Sequence, residues 1–265
     1  MWTSNANILI ANNTISQVYD TATTAQGYSV NIQHHIRVEN NYIFDSEQCF
    51  ELWNSGNATD SVSYDIYFVK KSCVNVGRGW SHFQRELQGY DLLFYRSNTN
   101  LTNVYITGNV FAHATEMSFW ANVQPWPHFE DINFDANCWW PKINSNRKYQ
   151  ILGRVFKFPS TSLDMLNISD AQAYFTNFTS NNVFADPDLQ ESATGQLVPD
   201  PQGACRGIGI VPFGPVLYPP ISEPQGPNAP MTQQPTEPHT PPQAISSANN
   251  LWPVVFSTLG ASIIF

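Results

Sequence analysis

The residues best suited to chemistry lie in one segment near the middle of the chain, residues 77–95, which reads GRGWSHFQRELQGYDLLFY. It contains His82, a residue type whose ordinary pKa is close to neutral pH and which can therefore accept or donate a proton. Arg85 follows three residues later and can form paired hydrogen bonds to a carboxylate or sulfate. The two together are suited to removing a proton beside a carboxylate whose charge is neutralised. We therefore predict His82 and Arg85 as catalytic residues.

The sequence around this segment is basic, although the chain as a whole is acidic. Residues 70–96 contain five cations and only two acidic residues, a local charge of +3 in a chain of net charge −9. Such a patch attracts polyanions, for example a polysaccharide with uronate or sulfate groups. Aromatic rings nearby can stack on sugar rings. The predicted substrate-binding residues are Lys70, Lys71, Arg78, Trp53, Trp80 and Tyr95.

Two carboxylates, Asp20 and Glu51, offer a different chemistry. Glu51 belongs to the alternating segment CFELW, residues 49–53, in which Glu51 and Trp53 point away from the two apolar residues. A tryptophan beside a carboxylate is a plausible sugar platform, and two carboxylates at a suitable separation hydrolyse glycosidic bonds. A hydrolase that uses Asp20 and Glu51 is therefore an alternative. Glu51 follows the apolar Ile43 by eight residues, and His82 follows the apolar Cys73 by nine. These similar distances predict that Glu51 and His82 lie side by side on neighbouring repeats.

A repeated element must position these residues. The pattern apolar–x–apolar–x–x–Asn–x–apolar begins, with some variation, at residues 8, 36, 66, 104 and 132, so the spacings are 28, 30, 38 and 28 residues. Fixed periods of this size are typical of repeat architectures. Each repeat contains a strand and a turn, and stacked repeats of that kind form a solenoid with parallel sheets. The predicted fold class is all-β, a parallel β-helix.

Three columns follow from the alignment of the repeats. One predicted inward column is Ile10, Val38, Phe68, Ile106 and Phe134. The other is Ile15, Ile43, Cys73, Phe111 and Trp139. The column of asparagines is Asn13, Asn41, Asn109 and Asn137. Asparagine tolerates the left-handed backbone of a sharp turn, and stacked asparagines hydrogen-bond along the stack. Lys70 and Lys71 interrupt this column.

The acidic balance gives no reason to expect nucleic acid as a partner. Of the four cysteines, none forms a C-x-x-C pair, and neither clustered ligands nor an Asp-rich run indicates a metal, so we predict no cofactor. Cys73, in an inward column, is predicted to be a buried hydrophobe. Cys138 and Cys205 are candidates for a disulfide.

Several features favour an extracellular glycoprotein that acts as a monomer. Five N-x-Ser/Thr sequons begin at Asn12, Asn57, Asn100, Asn167 and Asn177. The first residues do not resemble a secretory signal, and the first predicted strand starts almost at once, at Ile8. Because an uncapped first strand is unusual, we expect the chain to be the C-terminal part of a longer protein.

The end of the chain has a different composition. Residues 1–198 are predicted as the β-helix, with coils clearest over 8–140. Thirteen of the nineteen prolines then fall between residues 199 and 242, so residues 199–250 are predicted as a linker or stalk. Residues 251–265 are apolar and short for a membrane span. With Ser246 or Ser247 as attachment point they resemble a glycolipid (GPI) anchor signal, and this is the membrane contact that we expect.

The repeats at 8–15, 36–43 and 104–111, together with GWSHFQR…GYDLLFY, resemble a right-handed parallel β-helix protein of the broad pectate-lyase-like group, over about residues 8–190. That group includes lyases, hydrolases, epimerases and non-catalytic adhesins, so the resemblance implies a fold more than an activity. Its lyases use Lys or Arg near the substrate carboxylate. The expected function is an extracellular, cell-surface protein that binds an acidic polysaccharide and, if it is an enzyme, cleaves it. The alternatives are a non-catalytic adhesin or structural glycoprotein, and the hydrolase.

Overall fold

The structure is a computed structural model that describes residues 6–27, 32–54, 62–78, 89–95, 100–123, 132–142, 150–157 and 161–213. The described residues all belong to the compact unit Met1–Pro224. They form a parallel β-solenoid, which confirms the predicted fold class. The chain passes through three sheets in the same order five times. We call each passage, with one strand in each sheet, a coil.

The first sheet contains β1 (Ala6–Ala11), β4 (Ile32–Glu39), β7 (Val62–Val69), β10 (Asn100–Thr107) and β13 (Ile132–Asp135). The second sheet contains β2 (Thr14–Ser16), β5 (Tyr42–Phe44), β8 (Ser72–Val74), β11 (Val110–Ala112), β14 (Cys138–Trp140) and β17 (Val183–Phe184). The third sheet contains β3 (Thr21–Gly27), β6 (Gln48–Asn54), β9 (Tyr90–Tyr95), β12 (Met117–Val123), β15 (Gly153–Lys157) and β16 (Thr161–Met165), of which β16 is antiparallel to β15. A separate hairpin joins β18 (Gln190–Glu191) to β19 (Leu197–Val198).

Both predicted apolar columns form the core. Ile10, Val38, Phe68, Ile106 and Phe134 are paired in register along the first sheet. The column from Ile15 to Trp139 is paired in register along the second sheet. From the second coil onward every member is buried. Burying side chains of this size contributes about 1.5 to 3 kcal/mol each, so the repeated apolar positions account for the stacking.

The asparagine column forms a ladder of hydrogen bonds. The backbone N and Nδ2 of Asn13 both donate to Asn41 Oδ1 at 2.9 Å, and Asn109 makes the same pair to Asn137 Oδ1 at 3.1 and 2.9 Å. Asn182 adds a further rung through Asn137 Nδ2. The left-handed residues, however, stand one position earlier. They are Asn12, Asn40, Lys70, Gly108 and Ala136, with φ between 47° and 67°.

Lys71 occupies the ladder position of the third coil and is fully buried. Its backbone N donates to Asn109 Oδ1 at 3.0 Å, while Nζ lies 3.4 Å from the Val69 carbonyl oxygen and 4.1 Å from the centre of the Phe68 ring. Burial holds the pKa of Lys71 well below its ordinary value. The buried side chain gives no support to the predicted substrate binding by Lys71, which stays a prediction.

The four cysteines form two disulfides. The predicted Cys138–Cys205 bridge is present. Cys73 is fully buried, as predicted, and it is bonded to Cys49, which is also fully buried. The bridge crosses the interior of the solenoid, from a second-sheet strand to a third-sheet strand. The pairing was not predicted because the repeat pattern contains no third-sheet position and so could not place Cys49.

One short helix covers the last coil. Helix α1 (Ile168–Tyr174) begins after Asn167, whose side chain accepts a hydrogen bond from the Asp170 backbone N at 3.0 Å. Ala171, Phe175 and Phe178 are buried against the core. No helix among the described residues is long and apolar enough to cross a membrane.

The outer side of the second sheet is covered by residues 186–213, which we call the strap. Ile210 packs there against Tyr42, Phe44 and Val74. The strap includes residues 199–213, which composition had placed in the linker. They differ from a free linker because the Cys138–Cys205 bridge, a hydrogen bond from Gly209 N to the Gly108 carbonyl oxygen and hydrogen bonds between Val211 and the Asn40 side chain attach them to the coils.

Candidate functional site

A polar column stands at the turn between the second and third sheets, which we call the corner. Gln17, Asp45, Asn75 and His113 follow aligned second-sheet strands, and all have left-handed backbones with φ between 50° and 65°. Neighbouring members are therefore separated by about one strand spacing, ~4.8 Å. The Asn75 side chain hydrogen-bonds to Asp45. The stacking of coils thus places a carboxyl group, an amide and an imidazole side by side.

Two cations flank this column. Arg78 and Lys142 are near enough for their charges to act on both Asp45 and His113. Burial lowers the pKa of His113, the two cations lower it further, and Asp186 opposes them. Burial raises the pKa of Asp45, and the cations with Asn75 offset part of that rise. The corner therefore holds an imidazole kept in its neutral, proton-accepting form next to positive charge.

Gly77 and Gly89 lie side by side at this corner. A Cβ on Gly89 would lie 1.9 Å from Thr115 Oγ1 and 2.9 Å from Gly77 Cα, so neither glycine has room for a side chain. Gly77 also has a left-handed φ of 84°. Residues 79–88, with Trp80, His82 and Arg85, lie outside the described residues. Their roles stay predictions.

The outer face of the third sheet adjoins the corner. As predicted, Phe50 and Leu52 are buried in the core, whereas Glu51 and Trp53 point outward and are half-buried. The register places Glu51, Leu93, Trp120 and Arg154 in one row across four coils. The ring of Trp120 stacks on that of Tyr90 with centroids 6.0 Å apart and an interplanar angle of 15°. The face is thus aromatic and polar.

Arg154 is fixed at one end of this row. Its Nη2 donates to Asp164 Oδ2 at 2.8 Å, and its Nε donates to Asp164 Oδ1. The hydrogen bonds to Asp164 raise the pKa of Arg154; burial opposes this, while the charges of Asp164, Tyr90 and Glu116 add to it. The bidentate geometry holds a guanidinium beside the register position of Trp120.

Asp20 and Glu51 stand on neighbouring coils at different positions along the third sheet. Glu51 is in register with Thr24, whose Oγ1 lies 3.4 Å from Glu51 Oε2, and Asp20 lies four positions before Thr24. Four strand positions correspond to roughly 13 Å along the backbone, and the distance between the two carboxyl groups depends on their side chains. The carboxylate-pair alternative stays a prediction.

The predicted binding residues are dispersed over the solenoid. Arg78 lies exposed at the corner, and Trp53 lies on the third-sheet face. Tyr95 is the last residue of β9, next to Trp53 in register, and its side chain lies outside the described residues. Lys70 is exposed at the other end of the second sheet, between the first and second sheets. Of the predicted binding residues that the structure describes, Arg78 belongs to the corner.

Sequence reasoning missed several residues of the corner and the adjacent face. They are Asp45, Asn75, His113, Lys142, Trp120 and Arg154. A signal for the first three existed in the alignment. Each stands two residues after the second apolar column, at Ile43, Cys73 and Phe111, so extending the repeat by two positions would have revealed the polar column.

The glycosylation and anchor residues are scattered. Asn12 is an exposed left-handed turn residue, and Asn167 is the exposed cap of α1. Asn100 begins β10, and Asn177 lies between α1 and β17. Asn57, Ser246 and Ser247 lie outside the described residues.

Among the described residues, no group of three or more His, Cys, Asp or Glu side chains could hold a metal ion. Comparison with protein-family models, with curated proteins and with solved structures finds no match to this chain. The geometry of the corner and of the third-sheet face is therefore the basis on which a function can be inferred.

Proposed function

We propose that this protein is an extracellular, carbohydrate-active β-solenoid that binds an acidic polysaccharide across the third-sheet face and the corner. The observation that carries the proposal is the stacked pair of Tyr90 and Trp120, beside Arg154 on one face and next to the two cations of the corner. Aromatic rings with a polar surround suit sugar rings, which have apolar faces and polar edges. Arg78 and Lys142 supply charge for a uronate or sulfate group.

If the protein is an enzyme, the activity that we propose is that of a polysaccharide lyase. Neutral His113 accepts the proton on the carbon next to the uronate carboxylate, and Arg78 or Lys142 stabilises the negative charge that develops there. The electron pair of the broken C–H bond forms a C=C bond while the glycosidic C–O bond breaks. The leaving oxygen takes a proton from solvent. His82 and Arg85, between Gly77 and Gly89, are the sequence-based candidates for the same two roles.

The runner-up function is a non-catalytic adhesin or structural glycoprotein. It is favoured by the pairing of Arg154 with Asp164, which fixes a cation for binding without supplying a free acid. A hydrolase that uses Asp20 and Glu51 stays a further alternative.

The proposed location is outside the cell. Two disulfides support it weakly, because such bonds persist in oxidising compartments. The resemblance to the pectate-lyase-like group and the five sequons agree with it. Glycosidase treatment that lowers the apparent mass and phospholipase release from membranes would support glycosylation and the lipid anchor. Recovery of mature protein with Phe265 intact would contradict the anchor.

The function is tested by incubating the full-length protein with a panel of uronate-bearing and neutral polysaccharides. Ultraviolet-absorbing unsaturated ends identify a lyase, new reducing ends alone identify a hydrolase, and retention without product identifies an adhesin. If no polysaccharide is retained or cleaved, the proposal fails.

Two variants assign the roles. His113→Asn places in the fourth coil the residue that stands at Asn75 in the third, so the left-handed turn is preserved. We expect it to keep retention and lose unsaturated product. Trp120→Ala is expected to weaken retention. Unchanged product formation by His113→Asn would exclude His113 as the base.

A further inference from the structure

The outer face of the first sheet carries a row of stacked side chains unrelated to the corner. Arg37, Tyr67 and Tyr105 are in register on the second, third and fourth coils. The Arg37 guanidinium lies 5.4 Å from the centre of the Tyr67 ring, and Arg37 also pairs with Glu39. The rings of Tyr67 and Tyr105 have centroids 5.0 Å apart and are nearly parallel, at 6°. The row is therefore a rigid stack with a cation at one end.

A groove runs beside this stack. It has a volume of about 400 Å³ and is lined by Arg37, Tyr67 and Tyr105 of the stack and by Lys70, Gly108 and Asp135. Beyond Tyr105 the register places Asn133, a smaller side chain, on the fifth coil. The Asp135 carboxylate is held in place by Asn181 Nδ2 at 3.0 Å and by the Thr179 hydroxyl. An aromatic ring and oriented polar groups thus surround one open space.

Lys70 is an unusual residue for its position. Its left-handed backbone, with φ of 52°, is occupied in the other coils by asparagine (twice), glycine and alanine, and a lysine gains nothing there from conformation. The side chain is exposed, and its stem runs beside Gly108, where a Cβ would lie 3.6 Å from Lys70 Cγ. The lysine therefore brings a positive charge to the groove at some conformational cost.

We infer that this groove is a second saccharide-binding surface, in which a sugar ring stacks beside Tyr105 and an acidic substituent contacts Lys70. Its ligand class rests on the proposed function, but its residues lie on a different sheet. A long polysaccharide that contacts both surfaces gains affinity from the second contact, about 10²-fold or more relative to either surface alone. A short oligosaccharide occupies one surface at a time and lacks this gain.

The test uses the full-length protein and affinity electrophoresis in gels that contain a uronate polysaccharide. Lys70→Asn removes the charge and introduces the residue found at Asn12 and Asn40, so the turn is retained. Tyr105→Ala removes the open ring. Tyr64→Ala is the matched control, since Tyr64 stacks on His34 on the same sheet but outside the groove. Thermal unfolding confirms that each variant is folded.

We expect Lys70→Asn and Tyr105→Ala to reduce retention on the long chain by about tenfold or more, and Tyr64→Ala to leave it unchanged. Combined with Trp120→Ala, either groove variant should abolish the remaining retention. If Trp120→Ala alone abolishes it, or if neither groove variant changes it, the second surface does not exist. If Trp120→Ala has no effect while the groove variants abolish binding, the groove stands and the proposed third-sheet surface fails. Absence of any wild-type retention overturns both.

Discussion

At the scale of single residues, Lys71 stands at the ladder position that asparagine occupies in the other coils. Its pKa is lowered because the folded state buries the amine, whereas the unfolded chain keeps it protonated up to about pH 10.4. Between the lowered pKa of the folded state and that value the unfolded state binds more protons, so the stability due to this residue rises as pH increases through that range. Lys71→Asn removes this cost and introduces the hydrogen-bonding residue of the other rungs.

We expect Lys71→Asn to raise the free energy of unfolding by about 1 to 3 kcal/mol at pH 7. The gain should shrink between pH 7 and pH 10, because the wild-type penalty disappears as the unfolded lysine loses its proton. Urea unfolding at both pH values measures the difference. A gain that does not change with pH would show that ionisation of Lys71 is not its cause.

Asp91 has the opposite dependence on pH. It is fully buried in β9, and its carboxyl oxygens have no hydrogen bond of normal geometry. Burial raises its pKa well above the ordinary value, and the Ser118 hydroxyl offsets only part of that rise. The unfolded chain ionises from about pH 4 upward while the folded chain keeps its proton, so this residue lowers stability as pH rises.

Asp91→Asn should therefore stabilise the protein at pH 8, by on the order of 1 to 3 kcal/mol, and have little effect at pH 4. The measurement is the urea midpoint of variant and wild type at both pH values. Equal differences at the two pH values would refute a buried, protonated Asp91.

At the scale of elements, the asparagine ladder joins the coils along the turn between the first and second sheets. Asn137 is a buried rung whose Oδ1 accepts two hydrogen bonds from Asn109 and whose Nδ2 donates to the Ile106 carbonyl oxygen at 2.8 Å. Asn13 is the exposed first rung. Because unsatisfied buried groups cost about 1 to 3 kcal/mol each, we expect Asn137→Ala to lose about 3 kcal/mol or more and Asn13→Ala less than about 1. Chemical denaturation measures the free energy of unfolding of both variants. Equal losses in Asn137→Ala and Asn13→Ala would mean that burial of the asparagine does not determine its contribution.

The elements that the sequence predicted correctly are those whose burial repeats. Each coil contributes one residue of the column to the core, such as Phe68 in the third coil and Phe134 in the fifth. An apolar residue therefore recurs once per coil in the sequence. Glu51 and Trp120 occupy the same row of the third sheet but differ in residue type, because their side chains lie on the outer face and have different surroundings. The sequence therefore shows no repeat at these positions. The corner was missed for a related reason: Asp45 and His113 share a backbone conformation, and the pattern recorded only side-chain type.

At the scale of the whole molecule, the strap is attached to the solenoid by the Cys138–Cys205 bridge. Removing this bridge by changing both cysteines to alanine should release the strap while the five coils persist. Trypsin cleavage after Arg206 should accelerate at least about tenfold, because a disulfide typically contributes 2 to 4 kcal/mol. Mass spectrometry of the fragments and far-ultraviolet circular dichroism measure the two effects.

The control is Cys49→Ala with Cys73→Ala, which removes the buried bridge inside the coils. It should lower the overall midpoint of unfolding without selective cleavage after Arg206. Equal acceleration in both variants would mean that the strap opens only when the entire solenoid unfolds. The strap itself could not be predicted from the sequence. It has no period, its prolines resemble those of a linker, and its partners lie far away in the chain, as in the hydrogen bond from Val211 N to Asn40 Oδ1.

The strap crosses the coils one after another. Cys205 is joined to the fifth coil, Gly209 N donates to Gly108 on the fourth, Ile210 N lies 3.5 Å from Ser72 Oγ on the third, and Val211 is bonded to Asn40 on the second. Adding or deleting one coil between these contacts would shift the later ones by about one strand spacing, ~4.8 Å. Solenoids commonly change length by duplicating repeats, but here a duplication would need a matching change in a segment over sixty residues away. The strap thereby restricts the evolution of repeat number in this chain.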